Sequence, residues 1–408
     1  MKKNRVIVGL DIGSGAIKIA IGHIYPDNTL EVLTVVESPS EGMSKGIIMN
    51  PEDVISSLSM ALEKAEKNYG YSLQSVNVGI SGINITSQDS RGVISVSRPE
   101  GEILPEDVLR AIEAAKNVSS MPNYQILHAL PYNFIVENQI DIKDPVGMTG
   151  HRLEVQVQII FDLTRQIKNL THCLHRAGLE IDSIVFSTLA VAEAVLDKKQ
   201  KELGVAILDL GETTTHLLVY EDGYILKAKV LPIGSRDITG SIAIALRSSF
   251  SLAESVKINY GAADYKKIDK LEKIDLKEFD PRMRESFSRQ QLAKIIQAKC
   301  QEIFEAADAE LSAIGRSRKL PSGIVLTGAG SKLPDIVEAA KDVFKLPCSL
   351  GKAHGFESEL EETKDPAFCA AIGLLLWAKE GRSADGLVAE EKPTITKTIK
   401  SFFNNLFP

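Results

Sequence analysis

Cysteine is scarce: Cys173, Cys300, Cys348 and Cys369 are the only four in 408 residues, and no two form a CxxC pair. That excludes a disulfide-built scaffold or a cysteine-rich zinc module, and fits buried small hydrophobes in a reducing compartment. Long apolar runs are missing too. The longest, "AFCAAIGLLLWA" at 367–378, has 12 residues and is too short to cross a bilayer. A basic excess is absent, since 47 Lys and Arg face 54 Asp and Glu for a net charge of -7. A general nucleic-acid coat is therefore not expected, nor is nucleic acid as a partner. No GxxxxGK[ST] is present, which excludes a P-loop enzyme as far as a motif can, and no GxGxxG opens a βαβ unit. The start, "MKKNRVIVGLDIG", is basic, but Asp11 and two glycines interrupt its apolar run. It reads as a first strand and not as a signal peptide. The body is expected in the cytoplasm.

What is present describes an ordinary globular protein, 44% apolar and 25% charged, long enough for two to four domains. Two stretches look alike: "IVGLDIGSGAIKIAIG" from Ile7 and "GVAILDLGETTTHLLVYEDG" from Gly204. Each is an apolar strand, an Asp-x-Gly, a small polar turn and a second apolar strand. Asp11 and Asp209 are equivalent in this pattern, which predicts a duplicated α/β core. A helix is expected near 51–69, and a strand in "SVNVGISGINITS". A separate module follows, with "RGVISVS", a helix opened by "LPEDVLRAIEAAK", and the strands "NYQILHALPYNFIVE" and "HRLEVQVQIIF". A helix at 164–178 leads into the second half. There the charged stretch 264–289 reads as a helix with surface loops, followed by a long helix near 290–313 and the strand-turn "GIVLTGAGS" at 323–331. A buried helix is expected at 365–379, and residues 380–393 read as a flexible tether.

Chemistry could sit at the two hairpin turns. A tight turn at Gly13-Ser14-Gly15 offers backbone N–H groups and a hydroxyl to a phosphate-sized anion. Two such turns face to face could clamp an oligophosphate, with Asp11 and Asp209 holding a hydrated magnesium ion. Alternatively, the aspartates simply cap turns. Gly328 and Gly330 permit close backbone approach to a ring or sugar. His216 is either a general base or a strand side chain satisfied by a neighbour. Glu254 and Lys257, at i and i+3, also suit an ordinary surface pair. The segment 282–299 is basic, with one acidic residue. Finally, Ile395, Ile399, Phe402, Phe403, Leu406 and Phe407 form one stripe on a helical wheel, with Lys397 and Lys400 mostly off it. Such a helix suits its own domain, a partner's groove or a membrane surface, and the tether favours something outside the protein.

Taken together, "VGLDIGSGAIK", "LHALPYNFIVENQIDIKDPVGMTGHRLEV", "LGVAILDLGETTT", "LPIGSRDITGSIA", "ESVKINYGAA" and "GIVLTGAGS" resemble the actin and sugar-kinase superfamily. Within it the resemblance is to the bacterial cell division protein FtsA family, and it spans essentially the whole chain. The implied fold is α/β: duplicated actin-like (ribonuclease H-like) ATPase lobes, an FtsA-specific inserted subdomain and a C-terminal amphipathic helix. The implied division is 1–84 for the first lobe core, 85–162 for the subdomain and 163–379 for the second lobe with a return to the first. A linker at 380–393 and the membrane-targeting helix 394–408 complete it.

The resemblance implies ATP and magnesium as cofactors. Gly13, Ser14, Gly15, Gly211, Glu212, Thr213 and Thr214 would line the phosphates, Glu254, Lys257, Gly328, Ala329, Gly330 and Ser331 the ribose and adenine, and Gly234 would also meet the nucleotide. Magnesium would sit near Asp11 and Asp209, through water. Implied partners are the FtsZ C-terminal tail, met by the basic segment with Arg289 and Lys294 as candidates, later division proteins, further copies in a head-to-tail filament, and an anionic membrane surface bound by the tail. The implied place is the cytoplasmic face of the membrane at the division septum. A type IV pilus assembly adaptor and a small-molecule kinase share this superfamily and are the alternatives. One departure stands out. Where relatives read Asp-Ile-Gly-Gly-Gly-Thr-Thr-Asp, this chain has Asp209-Leu210-Gly211-Glu212-Thr213-Thr214-Thr215-His216. A positive φ required at Glu212 or Thr213 would be costly, and a carboxylate beside a triphosphate repels it unless it points away or meets a cation. Nucleotide binding with slow or absent hydrolysis is the expectation.

Overall fold

Both matching stretches fold as antiparallel hairpins, and each hairpin founds a five-stranded sheet. A computed structural model describes residues 5–118, 121–281, 283 and 286–381. The tail stripe, nearly all of the tether, and Arg282, Arg284 and Glu285 of the basic segment lie outside the described residues.

The first hairpin joins β1 (Arg5–Ile12) to β2 (Ala16–Ile24), and β3 (Leu30–Pro39) continues the antiparallel run. A small hairpin, β4 (Met43–Ser44) and β5 (Ile47–Ile48), leads to α1 (Pro51–Tyr69). Asn50 caps α1 by accepting from the Glu52 N–H at 3.2 Å, Pro51 suits its first turn, and Gly70 closes it at φ 90°. The buried face of α1, Val54, Leu58, Ala61, Leu62 and Ala65, repeats at helical spacing. β6 (Ser75–Ile80) then pairs parallel to β1.

The inserted module comes next. β7 (Thr86–Ser95), α2 (Pro105–Val118), β8 (Tyr124–Val136), β9 (Gln139–Ile142) and β10 (Arg152–Leu163) form a four-stranded sheet ordered β7-β10-β8-β9, with α2 on one face. Phe134, Phe161, Leu153, Val155 and Val157 fill a core of its own. Thr86 and Phe161 are cross-strand partners, so the module's entry and exit lie side by side.

The chain then returns to the first sheet. After α3 (Thr164–Arg176), β11 (Glu180–Phe186) pairs parallel to β6 and completes the order β11-β6-β1-β2-β3. Residues 164–195, assigned from sequence to the second lobe, therefore add to the first. The crossing comes after α4 (Ser187–Val195), where α5 (Lys198–Leu203), capped by Asp197, leads into the second sheet.

That sheet repeats the plan. β12 (Val205–Leu210), β13 (Thr215–Glu221) and β14 (Tyr224–Leu231) are antiparallel. α6 (Ser235–Leu246) and α7 (Phe250–Tyr260) follow. The stretch 264–289, expected to hold a helix, instead makes short 3-10 turns and a small hairpin of β15 (Lys273–Asp275) and β16 (Ser286–Ser288). The cause is local. Asp264, Asp269 and Asp275 each accept from the backbone N–H two residues on, which closes turns in place of a helical ladder. α8 (Arg289–Ala313), β17 (Ile324–Thr327), α9 (Ile336–Phe344) and β18 (Cys348–Leu350) give the order β14-β13-β12-β17-β18. Both sheets thus run third, second, first, then two parallel strands.

The last described helix, α10 (Cys369–Lys379), is buried on all sides from Cys369 to Ala378. It packs on the first sheet and against α4, and its apolar cluster extends to Val205, Ile207, Leu218 and Tyr220 of the second. Helix and neighbours touch backbone to backbone. A Cβ on Gly373 would lie 2.0 Å from the Ala190 carbonyl, and one on Gly9 would lie 2.2 Å from the Ala371 carbonyl.

Candidate functional site: the cleft between the two hairpin turns

Asp11 and Asp209 end equivalent strands, and the hairpin register gives each a basic partner seven residues later. Asp11 lies opposite Lys18, and Asp209 opposite His216. Both turns close alike: Gly13 N–H donates to the Ala16 carbonyl at 3.0 Å, and Gly211 N–H to the Thr214 carbonyl at 2.9 Å.

The aspartates differ in their surroundings. Asp209 is fully engaged, with Oδ2 3.1 Å from His216 Nδ1 and Oδ1 accepting from Thr327 Oγ1 at 3.2 Å. Burial pushes its carboxyl up, but the hydrogen bond and charge of His216, with Lys18 and Thr327, outweigh this and hold it below the usual range. Asp11 accepts from Ser187 Oγ at 3.3 Å. Burial pushes its carboxyl up, Lys18 opposes the rise and the charge of Asp209 adds to it. His216 is 4% exposed, and its Nε2 lies 3.1 Å from both Thr214 Oγ1 and the Ser81 carbonyl. It is a side chain satisfied by neighbours, as the second sequence reading had it. An aspartate here could not donate to the Ser81 carbonyl; an imidazole can, and so ties one lobe to the other.

Further contacts cross the cleft. Thr213 Oγ1 donates to Ser14 Oγ at 2.9 Å and Lys45 N–H donates to Thr213 Oγ1 at 3.1 Å, while within the first lobe Gly46 N–H donates to Ser14 Oγ at 3.1 Å. The second turn is gripped from behind by the start of α6. Ser235 N–H donates to the Gly211 carbonyl at 3.0 Å, and Arg236 N–H to the Glu212 carbonyl at 2.7 Å, which satisfies two of the helix's otherwise orphan donors. Neither Glu212 nor Thr213 takes a positive φ, so the strain expected from losing glycine there is not present. The Glu212 carboxylate does meet a cation, Arg236, at 2.9 Å.

Ser14, Ser40, Met43, Ser44, Lys45, Glu212, Thr213, Arg236 and Asp237 line a pocket of about 460 Å³ at this crossing. Its hydroxyls and two cations fit a polyphosphate; Glu212 and Asp237 do not, and the Lys45 and Arg236 N–H groups are already committed to Thr213 Oγ1 and the Glu212 carbonyl. Among the described residues, no group of three or more His, Cys, Asp or Glu is arranged to hold a metal directly. A magnesium ion would be held through water by Asp11 and Asp209, and Asp209 already has a partner on each oxygen.

The remaining candidates fall nearby or elsewhere. Gly328 has φ 78° and a Cβ there would meet Asp209 Oδ1 at 2.5 Å, so only glycine lets this turn press on the second hairpin. Ala329 and Gly330 follow in the same turn, and Ser331 Oγ donates to the Gly328 carbonyl at 2.7 Å. Gly234 precedes α6. Glu254 and Lys257 pair at 2.8 Å on α7, and both bond Thr239 Oγ1 of α6. Arg289 is held by Glu272 at 2.7 Å and the Tyr260 carbonyl at 3.1 Å, and Lys294 lies 5.2 Å over the Tyr265 ring. Sequence reasoning missed Lys18, Ser81, Ser187, Arg236 and Thr327. The seven-residue spacing Asp11–Lys18 and Asp209–His216 was the available signal for the first.

Comparison with known proteins agrees with this architecture. Residues 206–373 match the family model described as "Cell division protein FtsA", and residues 82–161 match "SHS2 domain inserted in FTSA". The cell division protein FtsA of Pseudomonas aeruginosa is 33% identical over 95% of this chain and 92% of its own. That of Borreliella burgdorferi is 34% identical over 99% of each, and that of Bacillus subtilis 35% over 93% of this chain and 84% of its own. Among solved structures, a PilM–PilN type IV pilus biogenesis complex aligns with a TM-score of 0.66 at 17% identity, covering 91% of this chain and 97% of that one. MreB5 of Spiroplasma citri bound to ADP aligns with a TM-score of 0.54 at 13% identity, covering 92% and 96%. These likenesses are of fold, and they mark it as actin-like. With two lobes of one plan, an inserted SHS2 domain and full-length relatives, this chain belongs to the FtsA family of cell division proteins.

Proposed function

We propose that this chain is an ATP-binding, actin-like adaptor that assembles at the inner face of the cytoplasmic membrane, anchors FtsZ filaments and recruits later division proteins. The observation that carries the reading is the match to FtsA proteins over nearly the whole chain, joined to a cleft lined with phosphate-compatible donors. Solved structures of the same fold hold ADP or AMPPNP, which supports a nucleotide between these lobes. Gly13 to Gly15, Gly211 to Thr214 and Lys45 would hold the phosphates, and the turn at Gly328 to Ser331 would meet the ribose and base. Magnesium, held through water by Asp11 and Asp209, would neutralise phosphate charge.

Membrane residence is assigned to residues 394–408. Phenylalanine and isoleucine would enter the acyl boundary while Lys397 and Lys400 face anionic headgroups. A single helix of this length binds weakly, and assembly into head-to-tail filaments would multiply the anchors. Arg289 and Lys294, at the start of α8, remain candidates for an acidic FtsZ tail, which would have to compete with Glu272 and Tyr265 for them.

Electron microscopy of the full chain on anionic lipid monolayers with ATP–magnesium, beside a chain ending at Pro393, tests the reading. Membrane-bound filaments from the full chain, lost on truncation, are expected. Equal attachment of the truncated chain would remove the tail from its assigned role, and attachment without filaments would count against assembly.

A further inference from the structure

Glu212 lies where an anionic ligand would be expected. Its side chain crosses from the second turn onto the first, so close that a Cβ on Gly15 would come within 2.1 Å of Glu212 Oε2. The carboxylate therefore covers a glycine of the first turn, inside the polar cleft of about 460 Å³. Arg236 Nη1 holds it at 2.9 Å, with side chains 54% and 30% exposed, so water and solutes reach the pair. The Arg236 guanidinium also stacks 4.3 Å over the Phe250 ring. That stacking keeps the guanidinium in place whether or not the carboxylate stays. The backbones of both residues are fixed together by the Arg236 N–H bond to the Glu212 carbonyl at 2.7 Å, so only side chains are free to rearrange.

We propose that Arg236 is a phosphate-binding residue and that Glu212 is its internal competitor. On entry of a nucleoside polyphosphate the guanidinium passes from the Glu212 carboxylate to phosphate oxygens. The carboxylate then swings off Gly15 toward solvent. Arginine binds phosphate through two parallel N–H donors, a geometry that lysine lacks. A phosphate group carrying more charge than a carboxylate wins the exchange, and an uncharged nucleoside does not. Affinity for nucleotide in this chain is thus set by a competition between two anions for one cation. The inference rests on the nucleotide reading above and names two residues that determine its strength.

Calorimetric titration of ATP–magnesium into the full chain tests it, with Glu212→Gln, Arg236→Ala and Arg236→Lys as variants. Circular dichroism and the unfolding midpoint of each confirm that it is folded. Glu212→Gln is expected to bind about tenfold more tightly, the scale of one unfavourable charge removed from a partly exposed site. Arg236→Ala is expected to bind about tenfold more weakly, with Arg236→Lys recovering only part. Unchanged or weaker binding by Glu212→Gln overturns the competition, and unchanged binding by Arg236→Ala overturns the exchange; in both cases wild-type binding leaves the nucleotide reading standing. If the folded wild type and all variants fail to bind at millimolar ATP, the nucleotide reading falls and the exchange with it.

Discussion

At the scale of single residues, Asp162 gives the clearest pH-dependent expectation. It ends β10 only 1% exposed, accepting the Leu163 N–H at 2.7 Å, and burial pushes its carboxyl up to about 6. A carboxyl raised above its unfolded value favours folding while protonated and opposes it once ionised, so its cost grows as pH rises from about 4 to 6. Asp162→Asn is therefore expected to stabilise the protein at pH 7.5 by about 2–3 kcal/mol and to change little at pH 4. Urea midpoints at the two pH values check this; an equal effect at both would show that packing governs the change. The cleft shows how far single residues were legible. Asp11 and Asp209 could be paired from sequence because a strand-Asp-x-Gly-turn-strand pattern repeats. Arg236 could not be linked to Glu212, because their contact depends on where α6 starts relative to a turn 24 residues earlier. Whether the turn needs a positive φ at Glu212 or Thr213 was also not legible, since a type of turn that accepts ordinary φ values leaves no mark on composition.

Among elements, α10 was legible as a buried helix from its unbroken apolar run, while its closeness to α4 was not. Gly373 lies where the Ala190 carbonyl would be 2.0 Å from an added methyl, in a backbone-to-backbone contact with little room to yield. Gly373→Ala is expected to cost about 1–3 kcal/mol through overpacking, although alanine is the better helix former. A fall in the denaturant midpoint at unchanged m-value checks it; a rise would mean that helix propensity outweighs the clash. β11 escaped notice for a different reason. Its partner β6 lies about a hundred residues earlier, and the inserted module intervenes. Periodicity reports which face of a strand is buried, not which sheet it joins. Asx turns likewise overrode the helical reading of 264–289, since a side-chain acceptor placed two residues before an N–H competes locally with a helix.

For the whole molecule, a ligand gripped by both turns stabilises both lobes at once. If ATP–magnesium is present at a hundredfold above its dissociation constant, linkage adds about 2.7 kcal/mol, a rise of several degrees in the unfolding midpoint. A midpoint unchanged at millimolar nucleotide would argue against ATP as a stabilising ligand of the wild type. The duplicated plan was readable in the sequence at this scale, because each half carries its own copy of the founding hairpin. The inserted module has a separate consequence. Its first and last strands are hydrogen-bonded neighbours at Thr86 and Phe161, so the chain enters and leaves it side by side, and its body rests on the host through contacts such as the Phe186 N–H donated to His128 Nε2 at 3.0 Å. A segment attached in this way can be acquired, exchanged or reshaped over evolutionary time without rethreading the host's strands.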